Sequence, residues 1–315
     1  MTDKSISLTQ KKSAILQNFR HLTKKMSQTA PNSKSEPTVK VPKLILYTGR
    51  FLQFITPSLA AKYAQRLFIT PLKHKIPRRE FEMDKNSQQS LLHVPAIKKD
   101  IITYTYGTGD KKILLAHGWS GRGTQLVKIA DHFVKLGYQT VSFDAPAHGK
   151  APGKLTSMPE FIASIHEIDK HFGPFEFAIG HSLGGMALLN AVREGLQIEK
   201  LVTIGAADVI TDIILHFTRT LTLKDSVATK MKAILDSKFG RDIDYASASN
   251  AAKEVNIPTL VVHDEDDVDV AVSCAHAIHK ALPNGTLHIT QNLGHRRILG
   301  NQEVIEKVEG FLLEN

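Results

Sequence analysis

The chain is nearly empty of cysteine, with Cys274 alone among 315 residues. No intrachain disulfide is possible, which excludes a disulfide-stapled scaffold and suits a reducing cytoplasm. Cys274 itself reads as a small buried hydrophobe on a helix. Also missing is any apolar run of the ~20 residues that a membrane-crossing helix needs. The polar, lysine-containing N-terminus lacks the apolar core of a signal peptide. The expectation is a cytoplasmic protein. There is no internal repeat, which sets aside solenoids and propellers, and no low-complexity tract beyond the polar N-terminus.

Acidic residues are scarce at one end. Residues 1–80 hold 16 Lys and Arg against 3 Asp and Glu, a net +13, while the other 235 residues hold 24 against 28, a net −4. The basic balance therefore belongs to the N-terminal quarter. Residues 1–38 are rich in Lys, Ser, Thr, Gln and Asn and carry too little apolar mass to fold alone, so they read as a disordered basic arm. Residues 39–78 read as an amphipathic pair of helices, about 43–55 and 58–69, packed on the body. Weak contact with an anionic membrane, peripheral at its inner surface, is the partner this end suggests. No nucleic-acid-binding motif accompanies the charge, so none is expected to bind. The whole N-terminal segment is expected to serve placement rather than chemistry.

What is abundant is alternation. The apolar content, 42%, is ordinary for a soluble globular chain. From about residue 79, short apolar runs alternate with helical patterns. Residues 79–83, 92–95 and 101–106 read as antiparallel strands. Runs at 112–116, 140–143, 175–179, 200–204, 258–263 and 286–290 read as strands between helices. That pattern indicates an α/β architecture, a mostly parallel sheet with helices on both faces, over 79–315. Sites in such sheets lie beyond the carboxyl ends of the strands. About fifty residues between the strands at 200–204 and 258–263 fit no βα unit. They read as a small helical lid inserted at about 207–250.

The chain is organised around Gly180-His181-Ser182-Leu183-Gly184-Gly185. An apolar run precedes it and a helical pattern follows, so Ser182 falls on a sharp strand-to-helix turn. This is the G-x-S-x-G pattern that presents a serine hydroxyl, with Gly180 and Gly184 removing side chains that would strike the turning backbone. A serine needs a base, and the base needs an acid to fix its tautomer. His295, on a glycine loop past the last strand, is placed to be the base. The acid is harder to choose, because Asp264, Glu265, Asp266, Asp267 and Asp269 crowd six positions. They also read as a solvated loop or a helix N-cap. A calcium loop would need a glycine at its sharp turn, and none is present.

Five segments in order resemble the α/β-hydrolase superfamily, in particular bacterial serine esterase-type members with a short lid. They are residues 117–123, 144–149, 180–185, 263–270 and 294–297, and the resemblance spans about residues 95–313. It implies an α/β-hydrolase fold. The family's H-G-x-x-D-x-x-V pattern, counted from His263 and back from Val270, gives Asp267 as the acid, with Asp266 as the fallback. Asp264 stands where the family has glycine. The resemblance further implies an oxyanion hole from the backbone N–H groups of Trp119 and Leu183. His117, His148 and His181 read as hydrogen-bonded framework residues. Arg122, Arg296 and Arg297 are candidates for an anionic substrate group, with solvated surface the plainer reading.

The implied activity is a metal-independent, cofactor-free serine hydrolase acting on a small-molecule ester or thioester. Ser182, Asp267 and His295 form the catalytic triad. Acyl transfer would use the same residues. The contrasting class is a non-catalytic ligand- or membrane-binding scaffold. Such members usually lose a triad residue, and here all three are present.

Overall fold

A computed structural model describes residues 41–314, which belong to one compact unit. The arm assigned to residues 1–38 lies outside the described residues.

Eight strands form one sheet in the order β1-β2-β4-β3-β5-β6-β7-β8. They are β1 Gln88–Val94, β2 Lys99–Tyr106, β3 Lys112–Ala116, β4 Gln139–Asp144, β5 Phe177–His181, β6 Lys200–Ile204, β7 Thr259–Asp264 and β8 Gly285–Thr290. The β1–β2 and β2–β4 pairings are antiparallel, and all the others are parallel. Period-two alternation divides the strand residues between two cores. Leu114, Ala178, Leu201 and Val261 face one side. Ile113, Leu115, Ile179, Val202 and Val262 face the other. Both faces of the parallel strands are apolar because helices cover both.

The helices are α1 Lys43–Ile55, α2 Pro57–Phe68, α3 Phe81–Asn86, α4 Val127–Lys135, α5 Met158–Phe172, α6 Leu183–Arg193, α7 Ile210–Thr220, α8 Asp225–Phe239, α9 Ala248–Ala252, α10 Ser273–Ala281, α11 Gly294–Arg297 and α12 Gln302–Leu313. α5, α6, α9 and α10 cover the first face; α4 and α12 cover the second. α8 ends on Gly240, whose φ of 67° supplies the left-handed stop.

The segment at 79–83, expected as a strand, is helical instead: a short 3₁₀ turn at Arg78–Glu80 runs into α3. Glu80 is the reason. It turns inward to accept hydrogen bonds from the Thr124 hydroxyl at 2.8 Å and from Arg122 at 3.4 Å. Phe81, within the segment expected as a strand, is 51% exposed.

α1 and α2 pack chiefly on the insertion. Ala60, Ala61 and Ala64 of α2 share a core with Val227, Met231 and Leu235 of α8. These four helices, α1, α2, α7 and α8, form a cap with its own apolar centre. From α2 the chain runs as an extended strap across the sheet's carboxyl end. The Leu72 N–H donates to Ser120 Oγ at 2.9 Å, and Arg122 donates to the Lys75 carbonyl at 3.2 Å. A division at residue 78 therefore cuts through contacts that hold the 119–124 loop.

Candidate active site

Ser182 sits between β5 and α6 with φ 52° and ψ −118°, a conformation costly for any residue with a Cβ. The turn closes by a bond from the Ser182 N–H to the Ile204 carbonyl, 2.9 Å. The flanking glycines are required by contact. A Cβ on Gly180 would lie 2.6 Å from the Gly184 carbonyl carbon, and one on Gly184 would strike the Ala116 carbonyl. The loop after β3 lies against the same turn. A Cβ on Gly118 would come within 3.0 Å of both Ser182 Cβ and His181 Nδ1. Trp119 follows Gly118 in that loop, and Leu183 follows Ser182 at the start of α6. Their backbone N–H groups have no acceptor among the described residues, as expected of the first N–H of a helix and of an open turn. The Trp119 indole is 37% exposed and meets the His148 ring edge-on at 5.2 Å.

His295 is the second residue of α11, after β8. Its Nδ1 lies 2.7 Å from Asp267 Oδ2. Asp267 is buried, and its other oxygen accepts the N–H groups of Asp269 and Val270, each at 2.9 Å. The carboxylate is thus fixed with one oxygen directed at the imidazole. In that pairing Nδ1 donates, which leaves Nε2 with a lone pair. Gly205, just past β6, packs on the pair: a Cβ there would be 3.3 Å from His295 Nδ1 and 3.6 Å from Asp267 Oδ2. The insertion therefore leaves the sheet beside this pair.

Asp266 points elsewhere and accepts the Asn292 N–H at 2.8 Å. Asp264 has a part that sequence reasoning missed. Its buried carboxylate accepts from Thr290 Oγ1 at 2.7 Å and from the N–H groups of Gly294, Leu293 and Asp266 at 2.8, 3.1 and 3.1 Å. It ties the acid-bearing turn to the histidine-bearing loop. Burial pushes its pKa up, but these hydrogen bonds outweigh it and hold the carboxyl below the ordinary value. His263 was also missed. Its Nε2 donates to the Val270 carbonyl at 2.9 Å and stands 3.5 Å from Asp267 Oδ2.

The other histidines brace the turns. His117 donates from Nδ1 to the Gly118 carbonyl at 2.7 Å and accepts the Ala145 N–H at Nε2, 3.2 Å. His148 accepts the Ser120 N–H at Nε2, 3.0 Å. His181 donates from Nε2 to the His295 carbonyl at 2.9 Å. Arg122 is buried against Glu80, which removes it from the candidates for substrate binding and from solvated surface alike. Arg297 bonds the carbonyls of Leu293 and Asn292 within its own loop. Arg296 is exposed. Among the described residues no group of three or more His, Cys, Asp or Glu is arranged to hold a metal ion.

These buried imidazoles predict acid sensitivity. Desolvation pushes the pKa of His117 down to about 4 and that of His148 down to about 2. It also lowers His181 and His263. Their ordinary value is ~6.5, so as pH falls through it the unfolded chain takes up protons that the folded chain refuses. Stability is full above that pH and declines below it, by up to ~1.4 kcal/mol per unit for each group. Asp144 and Glu80, pushed up by burial, act in the opposite sense at lower pH. Urea midpoints should drop between pH 7 and pH 5. The slope should be shallower in His148→Asn, and a flat profile over that window would contradict the assignment.

Residues 113–307 match the model of the alpha/beta hydrolase family. No protein of curated function matches the sequence. Among solved structures, bromoperoxidase from Bacillus anthracis is 18% identical, over 72% of this chain and 100% of that one, with a TM-score of 0.56. An esterase from Exiguobacterium antarcticum is 15% identical, over 71% and 99%, with a TM-score of 0.57. Esterase RhEst1 from Rhodococcus sp. is 14% identical, over 73% and 99%, with a TM-score of 0.55. At such identities these likenesses speak to the fold, while the family match covers more than half of the chain with the elbow, the acidic turn and the histidine loop inside it. By that match and by its sheet, the chain belongs to the alpha/beta hydrolase family.

Proposed function

We propose that the protein is a serine hydrolase that cleaves a carboxylic ester or thioester through an acyl-enzyme. The observation that carries the reading is the buried Asp267 carboxylate, 2.7 Å from His295 Nδ1, in a family member whose elbow residue is Ser182. His295 Nε2 accepts the Ser182 proton as Oγ attacks the acyl carbon. Asp267 holds the tautomer and stabilises the imidazolium. The oxyanion forms against the N–H groups of Leu183 and Trp119, each worth on the order of 3 kcal/mol in the transition state. The imidazolium then protonates the leaving group, and a water deprotonated by His295 releases the acid. Neither a metal nor a cofactor has a part in this sequence. The insertion, leaving the sheet at Gly205 beside His295, acts as a lid over the acyl group.

Labelling with a fluorophosphonate, followed by a chain-length series of p-nitrophenyl esters, tests the reading. Labelling with turnover supports it. Absence of both in the folded protein favours a binding scaffold.

The same reading assigns Asp264 a positioning role. Asp264→Ala strands three backbone N–H groups, at about 1–3 kcal/mol for each buried group left unpaired. Melting should fall by several degrees, and kcat/KM by ~10–100-fold through displacement of His295. Asp264→Asn, which keeps an acceptor, should recover part of both. Wild-type kinetics in Asp264→Ala would remove the residue from the argument.

A further inference from the structure

α1 has two apolar faces, and only one is used. Ile45, Leu46 and Leu52 pack into the cap core, and Gly49 is buried beside Leu223. On the opposite side Leu44, Tyr47, Phe51, Phe54 and Ile55 are exposed by 77, 61, 63, 89 and 50%. Steps of three, four, three and one residues set these five side chains within an arc of about 100°. Leu59, at the start of α2, is exposed as well. An apolar surface of this size on a folded chain marks an interaction site.

The charges around the stripe identify what covers it. Residues 41–69, which hold the two helices, contain four Lys and Arg and no Asp or Glu. Lys43, Arg50, Lys62 and Arg66 on the two helices are all exposed, and helical spacing puts Lys43 and Arg50 along one border of the stripe, where Arg50 Nε donates to Thr222 Oγ1 at 2.9 Å and its terminal nitrogens remain for an anion. A second copy meeting this face about a two-fold axis would bring cation against cation, which opposes self-association. A surface that offers both anionic groups and an apolar layer beneath them complements it in both respects. At 13 residues α1 is too short to cross a bilayer, and no described helix is long and apolar enough to do so.

We propose that α1 docks the protein in the plane of an anionic lipid bilayer. Leu44, Tyr47, Phe51, Phe54 and Ile55 enter the boundary between headgroups and acyl chains, and Lys43 and Arg50 meet lipid phosphates. Because the docking face shares no residue with the Ser182 site, this inference stands whether or not the protein is a hydrolase.

The test is co-sedimentation of the full chain with phosphatidylglycerol vesicles and with phosphatidylcholine vesicles, at low and high salt. Wild type should bind the anionic vesicles more tightly, and salt should weaken the binding. The double variant Phe51→Gln, Phe54→Gln leaves the charge unchanged. Its partitioning should fall by about tenfold or more, with melting unaltered. In Phe54→Trp, the added fluorescence over wild type should shift to the blue when anionic vesicles are present. Equal binding by the double variant would overturn the proposal, since basic residues alone would then suffice. So would failure of wild type to bind either vesicle. A concentration-dependent dimer that vanishes in the double variant would also overturn it, giving the face to a second copy.

Discussion

Ser182→Ala should lose ester turnover by on the order of a millionfold, with fluorophosphonate labelling abolished. A loss of that size corresponds to ~8 kcal/mol of transition-state stabilisation, as found when a triad nucleophile is removed. What remains should come from the Leu183 and Trp119 N–H donors and from binding. The fold should survive, because the elbow is closed by the backbone bond from Ser182 N–H to the Ile204 carbonyl, which alanine keeps. Alanine also keeps the Cβ and hence the strain of φ 52°, ψ −118°. Ser182→Gly separates the two quantities. It should be equally inactive yet more stable by ~1 kcal/mol or more, since only glycine adopts that conformation without cost. Undiminished labelling of Ser182→Ala would place the nucleophile elsewhere.

The sheet was legible because its strands advertise it. A run such as Lys112–Ala116, apolar on both faces and ending at His117-Gly118, has few alternatives. The carboxyl ends of those runs in turn located Ser182, the acidic turn and His295. Legibility failed where a charged side chain turns inward. Residues 79–83 look like a strand because Phe81 and Met83 alternate with acids, but the fold buries Glu80 against Arg122 and leaves Phe81 exposed. Periodicity carries no sign of a buried ion pair. Past the acidic turn α10 begins only at Ser273, because the Asp267 carboxylate holds the N–H groups of Asp269 and Val270 in a turn. The cap was invisible for a different reason. α2 and α8 meet across more than 150 residues of sequence, and nothing local in either amphipathic pattern names its partner. Asp264 is the same lesson at the scale of one residue. Its departure from the family's glycine looks like a defect in the turn, whereas in three dimensions its carboxylate gathers the histidine loop.

Of the five acids in that turn, Asp267 should be the severe position. Asp267→Asn is expected to lower kcat by ~10⁴-fold with little change in stability. The mechanism follows from the two oxygens. One accepts the N–H groups of Asp269 and Val270, and the other faces His295 Nδ1 at 2.7 Å. In the asparagine variant the carbonyl oxygen must stay with the two backbone donors, because an NH₂ group there would leave them unpaired. The amide NH₂ is then turned toward the imidazole. Nδ1 must accept instead of donate, the proton moves to Nε2, and the atom that should deprotonate Ser182 already carries one. His263, 3.5 Å from the same carboxylate oxygen, cannot substitute as the acid, because its Nε2 hydrogen is committed to the Val270 carbonyl. Asp266→Asn retains an oxygen for the Asn292 N–H, so its kcat should stay within about threefold of wild type, a surface-level effect. Steady-state kinetics on one soluble ester with both variants decides the matter. A severe Asp266→Asn beside a mild Asp267→Asn would move the acid one residue back and break the argument built on the 2.7 Å contact.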